Sequence, residues 1–347
     1  MNETSGALQA SGSQIDAHPA GNSELQITVR TTLGIVCVCM LFTSAPWILD
    51  LAALRFSTDF LVYLSLAATW NLLAGYGGLI SVGQQAYVGI GGYAFFASLV
   101  FFGLPLPASI LVGMASSAAA ALVFAPLLLR LKGPHFAIGT WVMAELCLLA
   151  VANMPYLGGG SGMSLPASVA RQIAADRAGR EAVIFFCALL LASSSIVGSY
   201  LLLRSKWGLA LTAMRDSERA AESLGVDTRR IKVAVFVGCA AMAGAVGCVV
   251  FLSKLRMTPD SAFSLIDWTA YVVFIVIIGG IGRIEGPIVG TIVFFALRGF
   301  LADLGPLYLI VLGLVAILVM LKAPQGLWGL VAERYKIAVF PVGRRAR

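Results

Sequence analysis

Ten stretches of this chain are apolar for long enough to cross, or nearly cross, a lipid bilayer, and this limits its fold more than any other feature. They lie at roughly 31–49, 58–75, 85–103, 107–129, 135–152, 182–203, 232–252, 267–281, 287–302 and 306–322. A helical span takes about 20 apolar residues, so the eighth and ninth stretches are short. Composition agrees, with 59% hydrophobic residues, 12% charged residues and a mean hydropathy of +0.91. The expected fold class is an all-α membrane protein with about ten transmembrane helices.

The ends are polar. Residues 1–28 carry no Lys or Arg and contain no apolar core of the kind a secretory signal needs, so a disordered cytoplasmic tail is expected there. Residues 29–322 form the membrane domain, and 323–347 form a basic cytoplasmic tail. Orientation follows from the basic residues. With both termini inside, 17 Lys and Arg fall on the cytoplasmic side and 6 on the other, with Arg298 inside a span. That bias, together with an even number of spans, predicts N-in and C-in. The net charge of +7 is therefore a matter of membrane orientation, and no nucleic-acid partner is expected.

One charged island breaks the apolar pattern. Residues 204–232 hold seven Lys or Arg and four Asp or Glu in 29 residues, which predicts a cytoplasmic loop. Within it a short helix is expected over 217–225, with Ser217 as N-cap, Glu218 in the first turn and Gly225 just past the end. Ala220, Ala221 and Leu224 form a small apolar face among charges, and Arg215 immediately precedes the helix. A solvated loop and a partner-binding helix both fit this pattern.

Two glycine clusters interrupt apolar runs, GYGGLISVGQQAYVGIGGY from Gly75 and GGIGRIEGPIVG from Gly279. Broken helices of this kind expose backbone groups that can line a path through the membrane, although tight turns or close packing account for them too. The expected path residues are Asn71, Gly75, Gly77, Gly78, Gln84, Gln85, Gly279, Gly280 and Gly282. Gly282, Gly286 and Gly290 recur every fourth residue, a spacing that lets a neighbouring helix approach closely. Glu145 is read as the one acid well inside a span, and Arg298 is its candidate counter-ion.

Much chemistry is missing. No phosphate-binding lysine motif occurs, so the chain is not expected to hydrolyse nucleotide. The six cysteines show no C-x-x-C pairing, and no metal site is expected. Two histidines and no paired carboxylates in a span make an intramembrane enzyme a poor fit.

Several blocks resemble the permease subunits of branched-chain amino acid ABC importers, of the LivM type. They are NLLAGYGGLISVGQQAYVGIGGYA (71–94), GPHFAIGTWVMAEL (133–146) with LGGGSGMSLP (157–166), SKWGLALTAMRDSERAAESLGVDTRRIKVAVF (205–236), and TPDSAFSL (258–265) with IIGGIGRIEGPIVG (277–290). The resemblance implies a ten-helix bundle similar to the vitamin B12 importer class. It also implies a second permease subunit, two cytoplasmic ATPases that bind the ATP, and a periplasmic substrate-binding protein, in a bacterial inner membrane. It implies that 205–236 docks on an ATPase, with Arg215, Glu218, Ala220, Ala221, Leu224 and Gly225 at the contact. Arg219 stands where the general importer loop has Glu. The implied substrate is a branched-chain or other hydrophobic amino acid. A sister importer for urea, short amides or aromatic acids is the alternative, and an ion-coupled carrier built on Glu145 is the reading from another class.

Overall fold

The computed structural model describes residues 43–174, 176–301, 305 and 307–335. Most of the 31–49 stretch, the 1–28 segment and 336–347 lie outside the described residues.

The spans begin where the sequence offers a cap. Asp50 accepts from the Ala53 N–H and starts α1, Leu51–Asn71, whose last turn widens into a π-turn at Leu72–Tyr76. Then come α2, Gln84–Phe101; α3, Leu106–Leu128; and α4, Pro134–Ala152. The last two open with proline in the first turn, where its missing N–H costs nothing. At the far end of α4, the 153–176 segment holds α5, Ala167–Ile173, and a two-residue strand. That strand, β1 (Met163–Ser164), pairs antiparallel with β2 (Arg256–Met257). No pattern in the sequence marked this short ladder.

Asp176 caps α6, Arg177–Arg204, and Ser205 caps α7, Lys206–Asp216. Ser217 caps α8, Glu218–Ser223, by accepting from the Ala220 N–H at 3.3 Å. Gly225 has φ of +84°, as a residue terminating a helix in the left-handed region does. Asp227 then caps α9, Thr228–Lys254. The rest of the bundle is α10, Pro259–Ala262; a π-turn at Ile266–Ala270; α11, Tyr271–Gly279; α12, Gly286–Leu301; α13, Leu307–Lys322; and α14, Gly326–Tyr335.

Among the described residues, seven helical segments are long and apolar enough to cross a membrane: 51–76, 106–128, 134–152, 177–204, 228–254, 259–279 and 307–334. The expected α2 span is an 18-residue helix diluted by its two glutamines and glycines, and α12 is a shorter apolar helix of 16 residues. The fold is that of an all-α membrane protein, while the expectation of ten spans exceeds what the described helices establish. Residues 326–335, expected in a tail, instead form α14, which packs on α11 and α12.

Two helices form the centre. α9 lies along α2 and α3, and α1 lies along α6 while also touching α9, α11 and α12. The α9 segment is 72% buried, against 11% for 307–334, so the last span sits at the rim. Close approach at the centre depends on small residues. A Cβ at Gly91 would collide with the Gly244 backbone, and one at Gly247 with the Val88 carbonyl, so any side chain there would push α2 and α9 apart.

Candidate functional site

The two glycine clusters and the charged loop, which lie far apart in the chain, meet at one end of the bundle. Asn71, in the last turn of α1, uses both halves of its amide. Its Oδ1 accepts from the Gly282 N–H at 2.8 Å, and its Nδ2 donates to the Arg283 carbonyl at 2.8 Å. Four residues later, the Gly75 carbonyl accepts from Arg215 Nη1 at 3.0 Å. Arg215 is in the last turn of α7, so the loop is tied directly to the end of α1.

Glycine is required where these segments cross. A Cβ on Gly75 would sit 2.5 Å from the Gly282 nitrogen, well inside van der Waals contact. Gly282 itself has φ of +77°, and Gly280 has φ of +122° with its Cβ position 2.7 Å from the Gln325 carbonyl. Gln325 also accepts from Arg283 Nη2 at 2.9 Å, so the start of α14 belongs to the same junction. The four-residue glycine spacing therefore divides between two tasks. Gly286 and Gly290 let α12 close on α11, whereas Gly282 lies in the loop before α12 and contacts α1.

The remaining expected path residues are buried in packing contacts, except Gly78, which is exposed. Gln84 donates to the Leu66 carbonyl at 3.3 Å, and Gln85 accepts from Thr269 Oγ1 at 2.5 Å, joining α2 to the 266–270 turn. Gly77 is packed on the Leu73 carbonyl, and Gly78 makes the left-handed turn after α1 with φ of +67°. Between α1, α2 and α9, beside Gln84, lies a cavity of about 20 Å³, room for roughly one water molecule and too small for an amino acid.

The loop helix is anchored from one side. Lys232 on α9 pairs with Glu218, and Thr228 donates to Glu222 Oε1 at 2.8 Å. This turns Ala221 inward to 1% exposure and leaves Leu224 at 83%. Ala220 is also exposed, so the expected Ala220, Ala221 and Leu224 face is split between the bundle and the outside. The first helix of the loop, α7, was not anticipated. Its signal was readable in Ser205 as a cap and in Leu211 and Met214, one turn apart and both buried.

The expected Glu145–Arg298 pair does not form. Glu145 is half-buried and accepts from Trp141 Nε1 at 3.2 Å on its own helix, while Arg298 is exposed on α12. An ion pair forms instead between Arg55 and Glu181, near the starts of α1 and α6, with Arg55 Nε donating to Oε1 at 2.9 Å and the Glu181 side chain only 3% exposed. The expected stretch at 58–75, second of the ten, leaves Arg55 outside it and Asp59 at its very edge. The capping signal of Asp50 brings both inside.

Comparison with known proteins agrees with this architecture. A family model described as "Branched-chain amino acid transport system / permease component" matches residues 52–320. The chain is 27% identical over 332 residues to the high-affinity branched-chain amino acid transport system permease protein LivM of Escherichia coli K12, covering 89% of this chain and 78% of that one. The Salmonella typhimurium protein of the same name is 27% identical over 333 residues, with the same coverage. The probable LivM permease of Methanocaldococcus jannaschii is 24% identical over 172 residues, 49% of this chain and 48% of that one. No solved structure matches. With more than two thirds of its length matched by the family model, the chain belongs to the branched-chain amino acid transport system permease family.

Proposed function

We propose that this chain is one transmembrane subunit of an ATP-driven importer of branched-chain amino acids. It forms half of the translocation path beside a second permease and takes its power stroke from a separate ATPase that docks on the 205–225 loop. A periplasmic binding protein delivers the substrate. The observation that carries the coupling part is the hydrogen bond from Arg215 to the Gly75 carbonyl. A push on α7 and α8 reaches α1 through that bond, and the 280–283 loop through Asn71. Two packed elements joined in this way move together, since a packed junction deforms as a unit rather than gradually.

The exposed Leu224 supports a partner on the outer side of α8. Burying a leucine side chain against a protein groove contributes about 2 kcal/mol of favourable transfer energy. Reconstitution with two ATPases, the second permease and a binding protein tests the reading. ATP-dependent uptake of labelled leucine, with urea left outside, is the expected result. Urea uptake without leucine uptake overturns the substrate assignment, and uptake without any ATPase overturns the coupling.

A further inference from the structure

Four charged side chains sit at the opposite end of the bundle from the Arg215 junction, and the site described above uses none of them. Asp59 lies sixteen residues before Gly75 on α1, about 24 Å along the helix axis. Lys254 ends α9, Arg298 is in the last turn of α12, and Asp267 lies in the π-turn that precedes α11. Asp59, Lys254 and Arg298 are exposed and Asp267 is half-buried. They are neighbours in space. Asp59 lies one turn before Tyr63 on α1 and Arg298 one turn after Phe294 on α12, and these two rings are 5.6 Å apart, while Asp267 adjoins Trp268, over which Lys254 reaches. Among the described residues none of the four side chains makes an ion pair with another.

The floor under these charges is aromatic. Lys254 Nζ lies 5.1 Å from the Trp268 ring centroid and 5.8 Å from that of Phe251. Tyr63 stacks on Trp268 at 6.3 Å and 23°, and both rings are buried. A charge on the outer face of a membrane helix costs several kcal/mol if it meets hydrocarbon, so such residues face a partner or water and mark pathways. Two cations and two carboxylates, close together yet unpaired, match the two ends of a zwitterion. The buried rings beneath them form a rigid floor, and the cation–π contact with Trp268 holds the Lys254 ammonium over it.

We propose that Asp59, Lys254, Asp267 and Arg298, over Tyr63 and Trp268, form a water-filled entry site for a zwitterionic amino acid at the end of the path facing the binding protein. The carboxylate is held by Lys254 and Arg298, and the ammonium by Asp59 and Asp267. This rests on the importer reading for the substrate, whereas its location can be tested without any transport.

In the full complex in right-side-out vesicles, Asp59→Cys is expected to react with a membrane-impermeant methanethiosulfonate at least about tenfold faster than the unsubstituted chain or Leu314→Cys on the rim helix. Leucine-loaded binding protein is expected to slow that labelling. Arg298→Gln and Lys254→Met are each expected to cut leucine uptake about tenfold, at unchanged complex yield. Labelling of Asp59→Cys no faster than that of Leu314→Cys overturns the site, because the face is then sealed or in lipid. Wild-type uptake in both charge variants overturns it as well. Failure of the unsubstituted complex to import leucine, with Asp59→Cys still labelled, removes the substrate assignment but leaves the water-filled mouth standing.

Discussion

Gly75 and Gly238 are both helical glycines, and only their surroundings tell them apart. A methyl group at Gly75 collides with the Gly282 nitrogen, whereas at Gly238 it meets nothing within 4 Å. Gly75→Ala is therefore expected to lower stability by about 1–3 kcal/mol through overpacking, and to weaken coupled transport. Gly238→Ala is expected to be neutral or to stabilise by up to about 1 kcal/mol, because alanine orders less chain entropy on entering a helix. Thermal denaturation in detergent measures both, and equal losses at the two positions would remove the junction as an explanation. Arg55→Ala makes a separate residue-level test. It leaves Glu181 buried and without its guanidinium, at a cost of about 3 kcal/mol, the low end for breaking a buried pair because Arg55 is half exposed. Asn71 was legible as a neutral polar group beside glycines. That its two hydrogen bonds would end 211 and 212 residues away was not, because spacing along one helix carries no record of a loop so distant in sequence.

The charged loop is the element whose local structure was easiest to read and whose orientation was hardest. Ser217, Glu218 and Gly225 announce a short helix by capping chemistry alone, and α8 begins and ends where they place it. Which side of α8 faces the bundle depends on Lys232 and Thr228 of α9, and those contacts turn Ala221 in and Leu224 out. Leu224→Asp is accordingly expected to leave the permease folded and inserted, since the side chain is exposed, while reducing ATPase co-purification about tenfold or more. Wild-type yield of the assembled complex in that variant would show that the ATPase docks elsewhere. Arg215→Gln separates docking from coupling. It removes the bond to Gly75 without touching the outer face of α8, so hydrolysis should continue with uptake diminished.

For the molecule as a whole, sidedness is the property most open to a single measurement. The 153–176 segment and the 204–227 loop lie at opposite ends of α6, and the basic bias predicts that the loop faces the cytoplasm. A cysteine at Ser161 is expected to label from outside intact cells and one at Ser223 is not; the reverse pattern would invert the orientation. Membrane class, the positions of most spans, the charged loop and the family were all present in the chain's order of residues, because apolar length, charge clustering and capping are local quantities. Packing was not. In a soluble protein the buried face of a helix is apolar and the other polar, but in lipid both faces are apolar and the pattern does not say which one meets a neighbour. So the pairing of Arg55 with Glu181, the meeting of Gly75 with Gly282 under Arg215, and the gathering of Asp59, Lys254, Asp267 and Arg298 around one aromatic cluster were decided only when the helices came together. Each joins residues that are distant in sequence, and no local energy term links them before the bundle forms.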